Sequence, residues 1–447
     1  MRPSPAVALL VALAAIVAGV PVTATGPSPS SPTGADASGT PADPAQSRAV
    51  AGQPRDPTAA SAVVAAPNST NYLTLAPEEV QASQVEAVTL DASGSAAVDD
   101  ARLEAAYLAA SVREDYRSAP NETAARAAIR RGVARLTDRI DRLAARERRA
   151  RERYNAGDWG TRTYLRELAA INAAATRLQG TVEELHSFNR AVETPVDPAR
   201  LARLKLRLLT LQGPVRAAAA RAMTGGESDG LRVFVATSET GTVLSTVIED
   251  GVATRYLREA YLGRDLTLEN TDRTNVSSID AARERFLSLY PWATSFDQYN
   301  IGLLTSAPYY LNAGVYALGV NHPQGTNRRF DLEAYLDTDT GKVFREYQYV
   351  GVDAVRMGPA GAGESADLRV VVEGTYVGGP MRVNVTDPAT GNPVEATVRV
   401  DGTQVGTTGT DGTAAALVPG RTFTVTVTRD GRTVTVEASL STGLEGT

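Results

Sequence analysis

From Ile129 the apolar residues follow one another as Ile129, Val133, Leu136, Ile140 and Leu143, at spacings of 4, 3, 4 and 3. This rhythm admits little besides a helix. A 3.5-residue repeat holds one stripe on one side of a helix, whereas a strand would scatter the same residues over both faces. The rhythm resumes at Tyr164, Leu168, Ile171, Ala175, Leu178, Val182 and Leu185, and again at Leu201, Leu204, Leu208, Leu211 and Val215. "NAGDWG" (155–160) interrupts the first two stripes with two glycines. "ETPVDP" separates the second from the third and offers Asp197 as an N-cap and Pro198 for the first helical turn. Short connections make neighbouring helices antiparallel. The spacing predicts a helix over about 123–154, on the order of 48 Å long at 1.5 Å per residue. The expected fold of residues 67–225 is an elongated helical hairpin with antiparallel coiled-coil packing, extended to a bundle of three or four helices.

Charge is divided unevenly along the chain. Residues 97–225 carry 24 basic and 16 acidic side chains, and residues 226–447 carry 18 basic and 28 acidic. "RLAARERRARERY" (142–154) is the densest basic run. It reads as a docking face for an anionic partner, as a solvated helix face in which Glu147 and Glu152 offset the arginines, or as a surface for the acidic half of the same chain. No aromatic residue interleaves with it to stack bases, so nucleic acid is not expected as a partner.

The first residues read as an export leader over 1–24. Arg2 is followed by the apolar run Ala6 to Val20, with Val22 and Ala24 suiting a small-residue cleavage rule. A retained anchor is the alternative, the only membrane association expected, but the run is shorter than the roughly 20 residues of a spanning helix and Pro21 ends it. Residues 25–66, rich in Pro, Ser, Thr, Ala, Gly and Asp, lack periodic apolar residues and are expected to be a disordered linker. The chain has no cysteine, which excludes disulfides, thiolate metal sites and a cysteine nucleophile. Acceptor sequons for N-linked glycans begin at Asn68, Asn121, Asn275 and Asn384.

Residues 226–352 read as an α+β domain. "LRVFVAT" and "TVLSTVI" alternate as strands around "SETG", and Ser277, with Asp280 three residues on, resembles the start of a capping box for the helix "SSIDAARERFLSLY". A Gly-rich linker is expected over 353–366, and an all-β, Ig-like sandwich over 367–447 from runs such as "MRVNVTD", "TFTVTVT" and "TVTVEAS".

The stretch "LDTDTGKVF" tests for a calcium loop. Asp337 and Asp339 fit the first and third ligand positions, but Gly341 falls at the fifth and Gln348 stands where a bidentate glutamate is required. A hairpin turn is the expectation. With its preceding helix, the region resembles the PepSY module through Tyr335, Asp337, Thr340, Gly341 and Val343. That resemblance implies binding or inhibition of secreted peptidases. Thr390-Gly391-Asn392-Pro393, Asp401-Gly402 and Asp411-Gly412, with Val398 and Val400 between them, resemble the turns and strand of carboxypeptidase-regulatory or transthyretin-like sandwiches. The near-absence of lysine, with only Lys205 and Lys342, and the whole arrangement resemble exported proteins of haloarchaea for which no activity is assigned.

No reactive constellation emerges. Only His186 and His322 exist, in different domains, and the pairs Asp99-Asp100, Glu183-Glu184 and Glu249-Asp250 are adjacent in sequence, so their side chains diverge. Trp292, Tyr309, Tyr310 and Tyr347 would line a groove or fill the small sheet's core. The sequence therefore offers no catalytic, cofactor-binding or metal-binding residue and implies no cofactor. The expectation is an extracytoplasmic, secreted or envelope-associated binding or scaffolding protein that is not an enzyme, with a protein or peptide partner outside the cell. Homodimerisation through the helices, a peptidase-inhibitor role and a hydrolase using distant carboxylates remain alternatives.

Overall fold

A computed structural model of the chain describes residues 73, 75, 77–226, 230–249, 253–263, 276–290, 300–303, 314–321 and 330–440. The leader, the linker, Asn68, Asn275, Trp292, Tyr309, Tyr310 and His322 lie outside them.

The periodic stripes form helices. The helices are α1 (Ala92–Arg117), α2 (Glu122–Asn155), α3 (Thr161–Arg190), α4 (Pro198–Leu209) and α5 (Pro214–Met223). Asp91, Asn121 and Asp197 cap α1, α2 and α4 by accepting from Ser93, Ala124 and Ala199 N–H groups. Ile129, Val133, Leu136, Ile140 and Leu143 are all fully buried, and they share one core with Leu178, Leu185, Leu204, Leu208 and Val112. The stripe thus closes against α1, α3 and α4 together, and the region is a bundle of five helices.

Beside the bundle lies an eight-stranded, wholly antiparallel sheet. Its strands are β1 (Ala82–Val88), β2 (Leu231–Thr237), β3 (Gly241–Glu249), β4 (Thr254–Leu262), β5 (Asn300–Leu303), β6 (Val315–Asn321), β7 (Phe330–Asp337) and β8 (Val343–Gly351). Their order is β1-β2-β3-β4-β8-β7-β6-β5, so two four-strand meanders meet at the β4–β8 seam. Alternation along each strand serves two cores. Val233, Val235, Leu244 and Leu257 pack with α3 and α5, while Phe234, Ala236, Tyr256, Ala334 and Leu336 pack with Phe286 and Tyr290 around α6 (Ile279–Leu289). The cap of α6 is Ser278, accepting from Ala281 N–H, not Ser277. Both serines precede the same helix, and the one whose hydroxyl meets the N3 amide does the capping.

The strand β1 corrects the expected boundary at residue 225. It precedes the helices in the chain but pairs with β2, so the bundle is inserted between two neighbouring strands of the sheet. Residues 353–366 are likewise not a linker. They contain β9 (Gly358–Glu364), which pairs with β10 (Arg369–Gly374). A side chain at Gly361 would come within 2.8 Å of Val436, so the absence of a side chain is what lets this strand lie over the opposite sheet. The sandwich is completed by β11 (Pro380–Thr386), β12 (Thr397–Val400), β13 (Thr403–Thr407), β14 (Thr413–Leu417), β15 (Thr422–Arg429) and β16 (Arg432–Ser439), in sheets β14-β11-β10-β9 and β13-β12-β15-β16. Val398 and Val400 point into its core with Val383, Val425 and Val436.

The sandwich docks on the sheet through Gly378. Its carbonyl accepts from Ser245 Oγ at 2.5 Å and Tyr256 OH at 3.1 Å, and Tyr256 OH also lies 3.2 Å from Tyr376 OH. Gly378 has φ +80°, and an added Cβ would stand 2.4 Å from the Phe234 ring. Gly378→Ala should therefore weaken docking by about 1–3 kcal/mol while leaving the sandwich core intact. Limited trypsin digestion should cut faster after the exposed Arg356 and release a folded sandwich. An unchanged cleavage rate would contradict this account of the interface.

Candidate functional site

Among the described residues, a buried cluster of ionisable groups lies where the bundle meets the sheet. Glu259 projects from β4 at the N-terminus of α5. Its Oε2 accepts from Val215 N at 3.0 Å, and its Oε1 accepts from Arg216 Nε at 2.8 Å. Arg216 reaches on to Glu147 of α2, with Nη2 2.7 Å from Oε1. Arg216 is 1 % exposed, Glu259 1 % and Glu147 5 %. Burial opposes the guanidinium charge, yet Glu147 and then Glu259 raise its pKa above the ordinary arginine value. Beside them, burial and the Glu147 charge push the Tyr164 hydroxyl up to about 12, and it shares a 3.1 Å hydrogen bond with Thr242 Oγ1. Gly213 N donates to Asn172 Oδ1 at 3.0 Å, completing the entry to α5.

On the same face Arg345 lies over the Tyr347 ring at 4.5 Å and donates to the Gln212 carbonyl and, at 2.9 Å, to Tyr347 OH. Tyr347, one of the four aromatic residues expected to line a groove or fill the core, thus sits buried against the end of α4. Its hydroxyl is 3.0 Å from Gln212 O and 3.2 Å from Leu209 O. On the opposite face Glu346 is surrounded: Oε1 accepts from Arg258 Nη1 (2.8 Å) and Gln348 Nε2 (2.6 Å), Oε2 from Tyr290 OH (2.7 Å) and Leu73 N (3.2 Å). None of these contacts was visible in the sequence, because the partners are far apart along the chain and no spacing rule joins them.

Chemically, each of these carboxylates is already held. Glu147 and Glu259 are the two acids brought together, but Arg216 lies between them and both are cut off from solvent. Removing the cation alone would leave two unpaired buried charges. Arg216→Met should cost about 3–5 kcal/mol in urea unfolding, and replacing Arg216 and Glu147 together with apolar residues should recover part of that. A single variant as stable as the wild type would overturn this view of the cluster.

The Asp337 turn is likewise internal. Asp337 Oδ1 accepts from Asp339 N (3.0 Å), Thr340 N (2.7 Å) and Thr340 Oγ1 (3.0 Å), and Arg285 of α6 donates to the Gly341 carbonyl at 2.8 Å. The same arrangement recurs in the sandwich, where Asp387 Oδ1 accepts from Ala389 N, Thr390 N and Thr390 Oγ1. A single carboxylate oxygen that organises a D-x-x-T-G turn in two unlike domains is a turn device. Among the described residues no group of three or more His, Asp or Glu side chains is placed to hold a metal ion.

The basic run of α2 divides. Arg146 forms a two-pronged pair with Glu167 (2.7 and 2.9 Å), Glu147 turns inward, Arg151 donates to the Glu239 carbonyl at 3.1 Å, and Arg153 lies over Trp159 at 5.2 Å. Arg142, Arg148 and Arg149 stay exposed. His186 sits half-buried on α3, where burial, then Arg190 and Lys205, hold its pKa below the usual 6.5. A depressed histidine favours the neutral form when folded, so its contribution to stability is complete above the unfolded pKa and is lost as pH falls through that value toward the lower folded one. His186→Gln should therefore show a smaller drop in urea midpoint than wild type between pH 8 and pH 5. An equal drop would contradict the assignment.

Among the described residues, exposed apolar surface is confined to few large side chains. Leu103 and Tyr107 on α1 are 69 % and 77 % exposed, four residues apart on one face. Ala96, Asp100 and Ala110 extend that stripe at steps of three and four, and all are exposed. Alongside runs a shallow groove of about 320 Å³ lined by Glu104, Leu108, Arg135, Asp138, Arg139 and Arg142. Among the described residues, no helix is long and apolar enough to cross a membrane.

Together these parts define a modular protein: an N-terminal helical region, an antiparallel sheet domain and a fibronectin-III-like sandwich. The chain belongs to the family of the domain of unknown function DUF7096, whose model matches residues 1–229. A second family of unknown function, DUF7094, matches residues 233–356, and an archaeal fibronectin-III type-like domain matches residues 361–436. The last is a different sandwich family from the carboxypeptidase-regulatory or transthyretin-like one that the turns resemble. No curated protein and no solved structure matched the chain.

Proposed function

We propose that this is an exported haloarchaeal scaffolding protein that acts by self-association outside the cell and not by catalysis. The observation that carries this reading is the exposed stripe on α1, with Leu103 and Tyr107 at its centre. The occupant is a second copy of the chain, crossing antiparallel so that Leu103 of each meets Tyr107 of the other. Charge supports that pairing. On α1 the exposed Asp99 pairs with Arg102, and Glu104 pairs with Arg139 of α2. Asp100 within the stripe and Glu114 beyond Ala110 are exposed, and α2 presents exposed Arg131, Arg142 and Arg149 on the side of Arg135 and Arg139 that meets α1. In the proposed two-fold arrangement Asp100 and Glu114 of each copy are offered to the exposed arginines on α2 of the other. This makes the helical region a coiled-coil-like contact module and gives the surplus arginines a partner in place of nucleic acid. The buried acids and arginines support the non-catalytic half of the reading, since they are engaged in holding layers together. The helix-then-strands order of α6 and β5–β8 is the basis for describing the sheet domain as PepSY-like, with a peptidase as the alternative partner.

Sedimentation of the purified chain should give a dimer in high salt. Leu103→Asp with Tyr107→Asp should convert it to a monomer without loss of helical circular dichroism, because both side chains are largely exposed. A monomeric wild type, a double variant that stays dimeric, or turnover of any substrate would sink the proposal.

A further inference from the structure

Two of the four acceptor triplets lie among the described residues, and the structure treats them oppositely. Asn121-Glu122-Thr123 stands between α1 and α2, and Pro120 through Thr123 are exposed. The two polar atoms of the Asn121 side chain have separate fates. Oδ1 accepts from Ala124 N at 2.9 Å and caps α2, while no described residue takes a hydrogen bond from Nδ2. Asn384-Val385-Thr386 lies in β11, between β10 and β14, with Asn384 opposite Val371 and Thr413. There Nδ2 donates to Glu373 Oε2 at 3.3 Å, and Oδ1 accepts from Thr413 Oγ1 at 3.2 Å. That amide is half-buried and engaged at both ends.

We propose that Asn121 carries an N-linked glycan and Asn384 does not. The proposal rests on the export reading above. In the transfer, Nδ2 bonds to the anomeric carbon of a glycan carried on a lipid phosphate. The carbon–oxygen bond to that phosphate breaks, the phosphate leaves with the electron pair, and one Nδ2 proton passes to a base of the transferase. The resulting secondary amide keeps Oδ1 as an acceptor, so the cap on α2 survives modification. At Asn384 the same reaction would have to fit a sugar among the side chains on the face of β11, where Nδ2 already meets Glu373 and Oδ1 meets Thr413.

Tryptic digestion separates the two sites, because Ser118–Arg126 and Val383–Arg399 are distinct peptides. Mass spectrometry of protein isolated from native cells should find a glycan mass on the first and none on the second. Thr123→Ala should abolish that mass while melting stays as in the wild type, since Asn121 still caps α2. Envelope-fraction protein with an unmodified Ser118–Arg126 peptide, or a mass that survives Thr123→Ala, would overturn the proposal and leave export standing. Unmodified protein confined to the cytosol would overturn export, and this proposal with it.

Discussion

Glu259 faces the first turn of α5 from the central strand β4, and much of the arrangement follows from that one carboxylate. The amides of a helix start have no partners within the helix, and their dipoles favour a negative charge there by about 0.3–2 kcal/mol. Withdrawing an ion from water costs several kcal/mol, so the dipole alone could not hold Glu259 inside. Arg216 makes up the difference and recruits Glu147, which ties β4, α5 and α2 at one point. On these magnitudes the cluster does more for register than for net stability. Only one placement of the bundle on the sheet pairs all three charges.

The sheet has no free face near its β4–β8 seam. One side carries the Glu259–Arg216 cluster and the Arg345–Tyr347 stack, the other the Arg258–Glu346 network and the docking loop around Gly378. Strands buried on both sides normally read as continuous apolar runs. Here β8, with Arg345, Glu346, Gln348 and three tyrosines or phenylalanines, does not. Its polar residues are held because alternate positions meet different partners, Arg345 the Gln212 carbonyl and Tyr347 on one side, Glu346 with Arg258, Tyr290 and Gln348 on the other. Such a strand is fixed in register, since a slip by one residue would exchange the two networks and leave every charge unmatched.

Legibility in the sequence followed the range of the interaction. The helical stripes were plain, because spacings of three and four residues are local, and the fully buried Ile129, Leu136 and Ile140 lie where the spacing puts them. Strands β2, β3, β15 and β16 were plain for the same reason, and so was the Asp337 turn. Strand β1 was hidden: "ASQVEAV" has weak alternation, and its partner comes after the entire bundle. The glycines that make β9 look like a linker are what fit it against Val436. The α1 stripe escaped notice because Asp100 interrupts it and only exposure marks Leu103 and Tyr107 as a pair. The buried charge clusters had no local signal at all.

The family boundaries and the architecture divide the chain differently at β1. The DUF7096 match ends at residue 229 and the DUF7094 match starts at 233, yet β1 lies in the first and forms the edge strand of the sheet built from the second. Val88 stands opposite Leu231, so the bundle leaves and rejoins the sheet at adjacent positions. The loop that must close before β1 can pair spans about 140 residues, and such distant pairings form late because chain entropy is lost before contacts repay it. Until the bundle has assembled, the amide edge of β2 is bare and able to template pairing with a foreign strand. Anything that delays the helices therefore exposes a sticky margin on a neighbouring domain whose own sequence is faultless.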